Sequence, residues 1–240
     1  MRRIPVTFLS RVCLAAIAAA LLWAGVAGAD GKVGLYGIRM VPTGQDAEEF
    51  SRASWGGGID CVVPAPFLGN LVAANLGIEF VSMLTEKTTT YDQQTLLRVE
   101  QQTSQEYGRF YLGPEFGPHG PGFFRPHAGA NLAVVFYGIS TDVVVPDDYN
   151  RQQEIRQNLR DENRVAMGYD LNAGADFNFW NKMSFDTGVR FLKSFNVPQQ
   201  LGAGSVTISP GYFQIYAGLG VSFGWLRRTG ESREGESARD

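Results

Sequence analysis

Cysteine, histidine and clustered basic residues are all scarce in this chain of 240 residues, and each scarcity removes a class of function. Of two cysteines, Cys13 sits inside an apolar N-terminal run and Cys61 stands alone after it. Once that run is removed no internal disulfide is possible, so stability has to come from backbone pairing and packing. The two histidines do not make a metal site: His119 lies in a Pro/Gly turn, out of register with His127. The net charge is −3, with no stripe of Lys and Arg to neutralise phosphates, which excludes nucleic acid as a partner. Gly56-Gly57-Gly58 lacks the following Lys-Ser/Thr and a helix, so it is no phosphate loop. It reads instead as a strand packed close to its neighbours.

The first 29 residues carry a different signal. Arg2, Arg3 and Arg11 precede an unbroken apolar or small stretch from Val12 to Val26, and Ala27-Gly28-Ala29 follows before the first acid, Asp30. A basic start, a short apolar core and a small-x-small exit predict a cleaved secretory leader over 1–29. The stretch is short for a membrane-spanning helix, which needs roughly 18–20 apolar residues. Cys13 lies on the wrong side of that core for lipoprotein processing. Removing the leader takes away three arginines and no acid, so the net charge falls from −3 to −6.

What remains alternates. Tyr169, Leu171, Ala173, Ala175, Phe177 and Phe179 share one face, against Asp170, Asn172, Gly174, Asp176 and Asn178 on the other. After a turn at Trp180-Asn181-Lys182 the alternation resumes through Met183, Phe185, Thr187, Val189 and Phe191. The last segment repeats it, with Phe213, Ile215, Ala217, Leu219, Val221, Phe223 and Trp225 opposite Tyr212, Gln214, Tyr216 and a set of glycines. Period-two patterning over ten or more residues predicts strands, longer than soluble sheets use but suited to tilted crossings of a bilayer. The polar faces, rich in Gly and Asn with single charges, suit a crowded interior, so the apolar faces point outward to lipid. On this pattern Cys61 faces lipid as a small hydrophobe.

Eight strands are expected, near 32–42, 53–64, 71–84, 106–117, 124–139, 166–180, 183–195 and 210–225. Odd strands lead into long links (43–52, 85–105, 140–165, 196–209) and even strands into short ones (65–70, 118–123, 181–182). That order, with both termini at the short-turn end, is how outer-membrane barrels are built. The reading is an all-β, eight-stranded antiparallel up-and-down transmembrane β-barrel over 30–226, with a hydrophilic periplasmic tail over 227–240. The segments Tyr111-Leu112-Gly113-Pro114-Glu115-Phe116-Gly117, Arg125-Pro126-His127-Ala128-Gly129-Ala130-Asn131-Leu132 and Tyr216-Ala217-Gly218-Leu219-Gly220-Val221-Ser222-Phe223 carry a glycine-and-aromatic texture. In this texture the chain resembles the small outer-membrane β-barrel proteins, the group that includes the OmpA barrel domain and the OmpX- and OmpW-like proteins. The resemblance implies export to the bacterial outer membrane through the barrel assembly machinery, contact with membrane lipid and lipopolysaccharide, and a monomer. Phe223 and Trp225 would serve as the terminal aromatic signal, although a tail follows them here. No room is left for a peptidoglycan-binding domain.

Ten charges are placed inward: Arg39, Asp60, Glu79, Arg109, Glu115, Arg125, Asp170, Asp176, Asp186 and Arg190. Eight strands enclose an interior just wide enough for side chains, so these groups are expected to pair into a salt-bridged plug. The expected role is structural or interactive, with external loops making surface contacts, no cofactor and no catalytic centre. Two rivals use the same residues. One is a narrow channel for ions or small apolar molecules; the other is a lipid A-modifying enzyme, for which His127 lies at the wrong end. The Thr- and Gln-rich link 85–105, with Tyr91, can continue its hairpin beyond the membrane, whereas the charged segment 140–165 is expected to be a solvated loop facing divalent ions and lipopolysaccharide phosphates, with Asp147 able to cap a short helix.

Overall fold

The computed structural model describes residues 31–223 apart from 49–50, 66–67, 69, 92–97, 120–121, 147–153, 181 and 202–203. The expected leader, the C-terminal tail, Trp225 and the helix cap at Asp147 lie outside the described residues. The elements in chain order are β1 (Gly31–Thr43), α1 (Gln45–Glu48), β2 (Ser54–Pro64), β3 (Val72–Tyr91), β4 (Arg98–Phe116) and β5 (Phe124–Pro146). They continue with β6 (Glu154–Trp180), β7 (Met183–Phe195), β8 (Val197–Leu201), β9 (Gly204–Ile208) and β10 (Gly211–Phe223). Eight strands close into an antiparallel barrel in the order β1-β10-β7-β6-β5-β4-β3-β2, while β8 and β9 form a separate two-stranded hairpin. Gly31 pairs with Phe223 at one end of the seam and Thr43 with Gly211 at the other. The first and last strands thus satisfy each other's backbone groups and leave the barrel wall without an edge there.

Side-chain alternation sets which face is which. In β6, Ala166, Gly168, Asp170, Asn172 and Asp176 are buried while Val165, Met167, Leu171 and Ala173 are exposed. Cys61 follows the outward parity of β2 between Ile59 and Val63, although its neighbours cover it. The start of β1 at Gly31, the end of β10 at Phe223 and the turn ends of β2–β3, β4–β5 and β6–β7 gather at one end, as the antiparallel order requires. At the other end, the links expected as loops are largely strand. Pairing continues from Leu84↔Gln105 to Tyr91↔Arg98 and from Ile139↔Glu162 to Pro146↔Glu154. β8 and β9 occupy most of 196–209. Thr88-Thr89-Thr90 and Val143-Val144-Val145 explain this physically, since β-branched residues favour extended backbone even where neither face needs to be apolar. The asymmetry of long and short ends survives; its material is sheet instead of loop.

β2 stops pairing with β3 at Trp55↔Ser82, and β7 stops pairing with β6 at Phe195↔Met167. Beyond those points β3, β4, β5 and β6 continue alone as a four-stranded fin. The nine residues after Ser82 carry it about 30 Å past the barrel wall at roughly 3.3 Å per residue. The β8–β9 hairpin leans back on the fin, with Val197 and Ile208 packed on Ala166 and Tyr137. Asn196, in the left-handed region at φ 52°, makes the reversal out of β7.

Glycine matters most where a ring lies over the wall. A Cβ at Gly77 would meet Tyr111 Cζ and Oη at 2.4 Å, and Tyr111 is fully buried. Gly77→Val is expected to cost about 1–3 kcal/mol through overpacking. Gly37→Val, where a Cβ meets nothing nearer than 4.0 Å, should stay within about 0.5 kcal/mol. Urea unfolding of the detergent-refolded variants measures both, and equal losses would place the lumen elsewhere.

Candidate functional site: the layered lumen

The lumen divides into three layers along the barrel axis. Its middle layer is built around one carboxylate. Glu79, from β3, is wholly buried and accepts from side chains on four other strands. Tyr36 of β1 donates its hydroxyl to Oε1 at 2.9 Å, and Arg109 of β4 donates Nη2 to Oε1 at 2.8 Å and Nε to Oε2. Arg190 of β7 donates Nη1 to Oε1, and Gln214 of β10 donates Nε2 to Oε2 at 3.3 Å. The second Arg109 arm reaches Asp170 Oδ2 at 2.7 Å, and Asp170 Oδ1 takes Asn131 Nδ2 at 2.9 Å and Asn172 Nδ2 at 3.3 Å. Two guanidiniums and two carboxylates make this layer neutral. A charge in so confined a space is tolerated only with its partners in place.

Tyrosines frame the guanidiniums. Arg190 Cζ lies 4.3 Å from the Tyr216 ring centroid, 4.9 Å from Tyr36 and 5.2 Å from Tyr111, while Arg109 lies 4.6 Å from Tyr111. Ring faces supply cation–π attraction and also fill the cross-section. Tyr36 and Tyr111 share a hydroxyl hydrogen bond of 2.9 Å.

Above lies an apolar layer. Ile38, Met40, Val81, Met83, Val135 and Leu192 are buried together with Tyr107 and Tyr212, and α1 tucks Ala47 beneath the same surface. Tyr107 stacks edge-on against Tyr137 and Tyr212 with centroids 5.5 and 5.8 Å apart. A cleft of about 430 Å³, counting the part open to solvent, lies over this layer between the fin and the β8–β9 hairpin. Arg164 reaches across to the Pro198 carbonyl there.

Below the middle layer, toward the termini, lies a polar layer. Lys32 donates to Asp186 at 2.8 Å and lies 3.2 Å from Asp176, which also accepts from Arg125. Asn75 Nδ2 donates to Glu115 Oε2 at 2.9 Å, and His119 Nε2 lies 3.2 Å from Glu115 Oε1. His127 Nε2 is 3.0 Å from the Tyr216 hydroxyl, a packed structural contact.

Of the ten charges placed inward by alternation, the structure gathers Glu79, Arg109, Asp170 and Arg190 in the middle layer. It sets Asp60, Glu115, Arg125, Asp176 and Asp186 in the lower one. Arg39 is a correction: the even positions Tyr36, Ile38 and Met40 are the buried ones in β1, and Arg39 lies outside, 5.0 Å over the Trp55 ring. The parity of β1 was hidden because its inward face meets the apolar layer, so both faces of that strand read as apolar. Lys32 was missed for the same reason. Its signal is its two-residue spacing from Gly34 and Tyr36, which becomes readable only once the register is known.

Replacing Arg109 by Met strands Glu79 and Asp170 on one side of their charge balance, and a loss of about 3–5 kcal/mol is expected. Adding Glu79→Gln leaves Asp170 and Arg190 as a balanced pair, so the double variant should be more stable than Arg109→Met alone. Chemical unfolding in micelles reads this difference. Simple addition of the two losses would mean that the charges do not act as a unit.

No protein-family model matches the sequence, and no curated protein matches it. Solved structures do. Neisserial surface protein A, from Neisseria, is 11% identical with a TM-score of 0.50, covering 82% of this chain and 97% of that one. A major outer-membrane protein of Thermus thermophilus is 10% identical with a TM-score of 0.48, covering 81% and 99%. Outer membrane protein W of E. coli is 14% identical with a TM-score of 0.31, covering 81% and 98%. At such identities the similarity speaks to fold, and the fold is that of the small eight-stranded outer-membrane β-barrels.

Proposed function

We propose that this chain is a bacterial outer-membrane protein whose barrel spans the bilayer as a closed, salt-bridged plug and holds a protruding sheet for surface contacts. One observation carries the reading: the molecule is inside out for water. Glu79 and Asp170 are 0% exposed and Arg109 is 1%, while Leu132 is 69% exposed, Leu35 66% and Leu171 54%. Each such leucine moved from water into hydrocarbon gains roughly 1.5–3 kcal/mol, and the belt runs around every strand of the wall. Phe195, Trp55 and Trp180 near the strand ends suit the two bilayer interfaces.

The role is mechanical and interactive. The neutral guanidinium layer and the apolar layer above it fill the cross-section in sequence, which supports a plug over a pore. The fin supplies the contact surface. Its outermost strands, β3 beyond Ser82 and β6 before Met167, have one side each unpaired within the fin, the geometry that accepts an added strand. Orientation follows the usual rule that the longer end is external, with lipopolysaccharide as its neighbour.

The test is fractionation followed by electrophoresis with and without boiling, then recording in planar bilayers. The protein is expected in the outer membrane, without its first 29 residues, migrating faster unboiled and giving no conductance steps. Leu132→Arg should cost about 2–4 kcal/mol in lipid vesicles, as a charge near the midplane does. A soluble periplasmic protein with no mobility change would reverse the two faces, and regular conductance steps would replace the plug by a channel.

A further inference from the structure

The lower layer of the lumen is not balanced as the middle one is. Asp60, Glu115, Asp176 and Asp186 line it against Lys32 and Arg125, two more carboxylates than Lys and Arg side chains, and His127 Nε2 lies 3.7 Å from Asp186 Oδ1. Lys32 lies against Asp176 Oδ2 and Asp186 Oδ2, and Arg125 bonds the same Asp176 Oδ2. Five other oxygens of this layer take no hydrogen bond from the protein: Asp60 Oδ1, Asp176 Oδ1, Asp186 Oδ1, Asn75 Oδ1 and Ser184 Oγ. Asp60 is 5% exposed, Asn75 2% and Ser184 1%, so these groups do not open to bulk solvent. Asp60 aims Oδ1 inward across Gly34, where a Cβ would come within 2.3 Å of it.

Buried anionic oxygens without donors have to meet water or a cation. Water satisfies the lone pairs but leaves the charge, and only a cation answers both. Among the described residues no three His, Cys, Asp or Glu side chains converge closely enough to ligate a metal directly. An ion here therefore keeps much of its hydration shell, as a hard divalent cation of the magnesium type does when one or two carboxylates hold it. We propose that the lower lumen binds one hydrated divalent cation, with Asp60 and Asp186 as its carboxylates and Ser184 and Asn75 accepting hydrogen bonds from its bound waters. Its +2 charge matches the excess of carboxylates over Lys and Arg. The apolar layer closes the far end, so the ion enters from the side of the termini. The site depends on a closed barrel, and not on cellular address or on a role for the fin.

The experiment uses the full chain refolded in detergent without lipopolysaccharide and stripped with EDTA. Thermal unfolding is followed at pH 7.5 while MgCl₂ is added, against NaCl of matched ionic strength. A saturable rise of about 5 °C at a hundred-fold excess over the midpoint is expected with magnesium and none with sodium. Asp60→Asn should weaken the midpoint at least ten-fold. Ser184→Ala, which breaks no protein hydrogen bond, should weaken it several-fold while still migrating as a closed barrel. Asp161→Asn, on the exposed fin, should respond like the parent. Superimposed magnesium and sodium curves would overturn the proposal. So would a parental response from Ser184→Ala and Asp60→Asn together, which would move the ion to the fin. If Asp60→Asn does not close, Ser184→Ala decides. A parent that shows no unboiled mobility shift would instead refute the barrel itself.

Discussion

Five hydrogen bonds converge on the two oxygens of Glu79, and they come from β1, β4, β7 and β10. No neighbouring pair of strands could supply them. Arg109 adjoins Glu79 across the β3–β4 ladder, but Arg190 and Gln214 reach it from the opposite wall. The carboxylate thus ties together segments that the backbone ladders connect only the long way round. Removing one arginine would leave a charge with nowhere to relax, which makes the network cooperative as a whole. The tyrosines give the guanidiniums a packed bed, and the lumen glycines give the rings room. Gly77 lies beneath Tyr111, and Gly174 and Gly188 approach the Tyr216 hydroxyl.

Two kinds of surface follow from that arrangement. Most polar side chains find their partners inside, so little that is polar is required of the wall's outer face, which is apolar. In the fin this division of labour ends. The fin has mixed polar residues on both sides, and its order comes from the ladders, from Thr103–Thr141 and Asn158–Asp142 contacts, and from the β8–β9 hairpin leaning on Ala166 and Tyr137.

That difference decides what could be read in the sequence. β7 and β10 were legible almost to the residue, and β6 over 166–180 but not over its first twelve residues, because the outer face and the lumen impose opposite chemistries on alternate positions. The same contrast placed Glu79, Arg109, Asp170 and Arg190 inward. Where the contrast fails, so does the reading. β1 meets an apolar layer on one side and carries an apolar outer face on the other, which sent Arg39 to the wrong face and concealed Lys32. The upper halves of β3 to β6 have water on both faces, so their strand character resided in Thr and Val propensity and in cross-strand pairing. A period-two search does not detect either. Which charge partners which was never available from one strand at a time, since Arg190 and Glu79 meet only after the sheet has curled closed.

The seam between β1 and β10 joins the beginning of the described chain to its end, Gly31 to Phe223. Hairpins such as β6–β7 can form as soon as their own residues are present, but this pairing has to wait for the last strand and bears the greatest loop-closure entropy in the molecule. Until it forms, β1 and β10 are two long open edges, each a template for the wrong neighbour. A chain cut short before Gly211 would lose more than one strand: it would remain an unclosed sheet with its arginines and carboxylates facing lipid or solvent instead of one another. The vulnerable period for this fold is therefore the interval before closure, when both edges and the unpaired lumen charges are open at once.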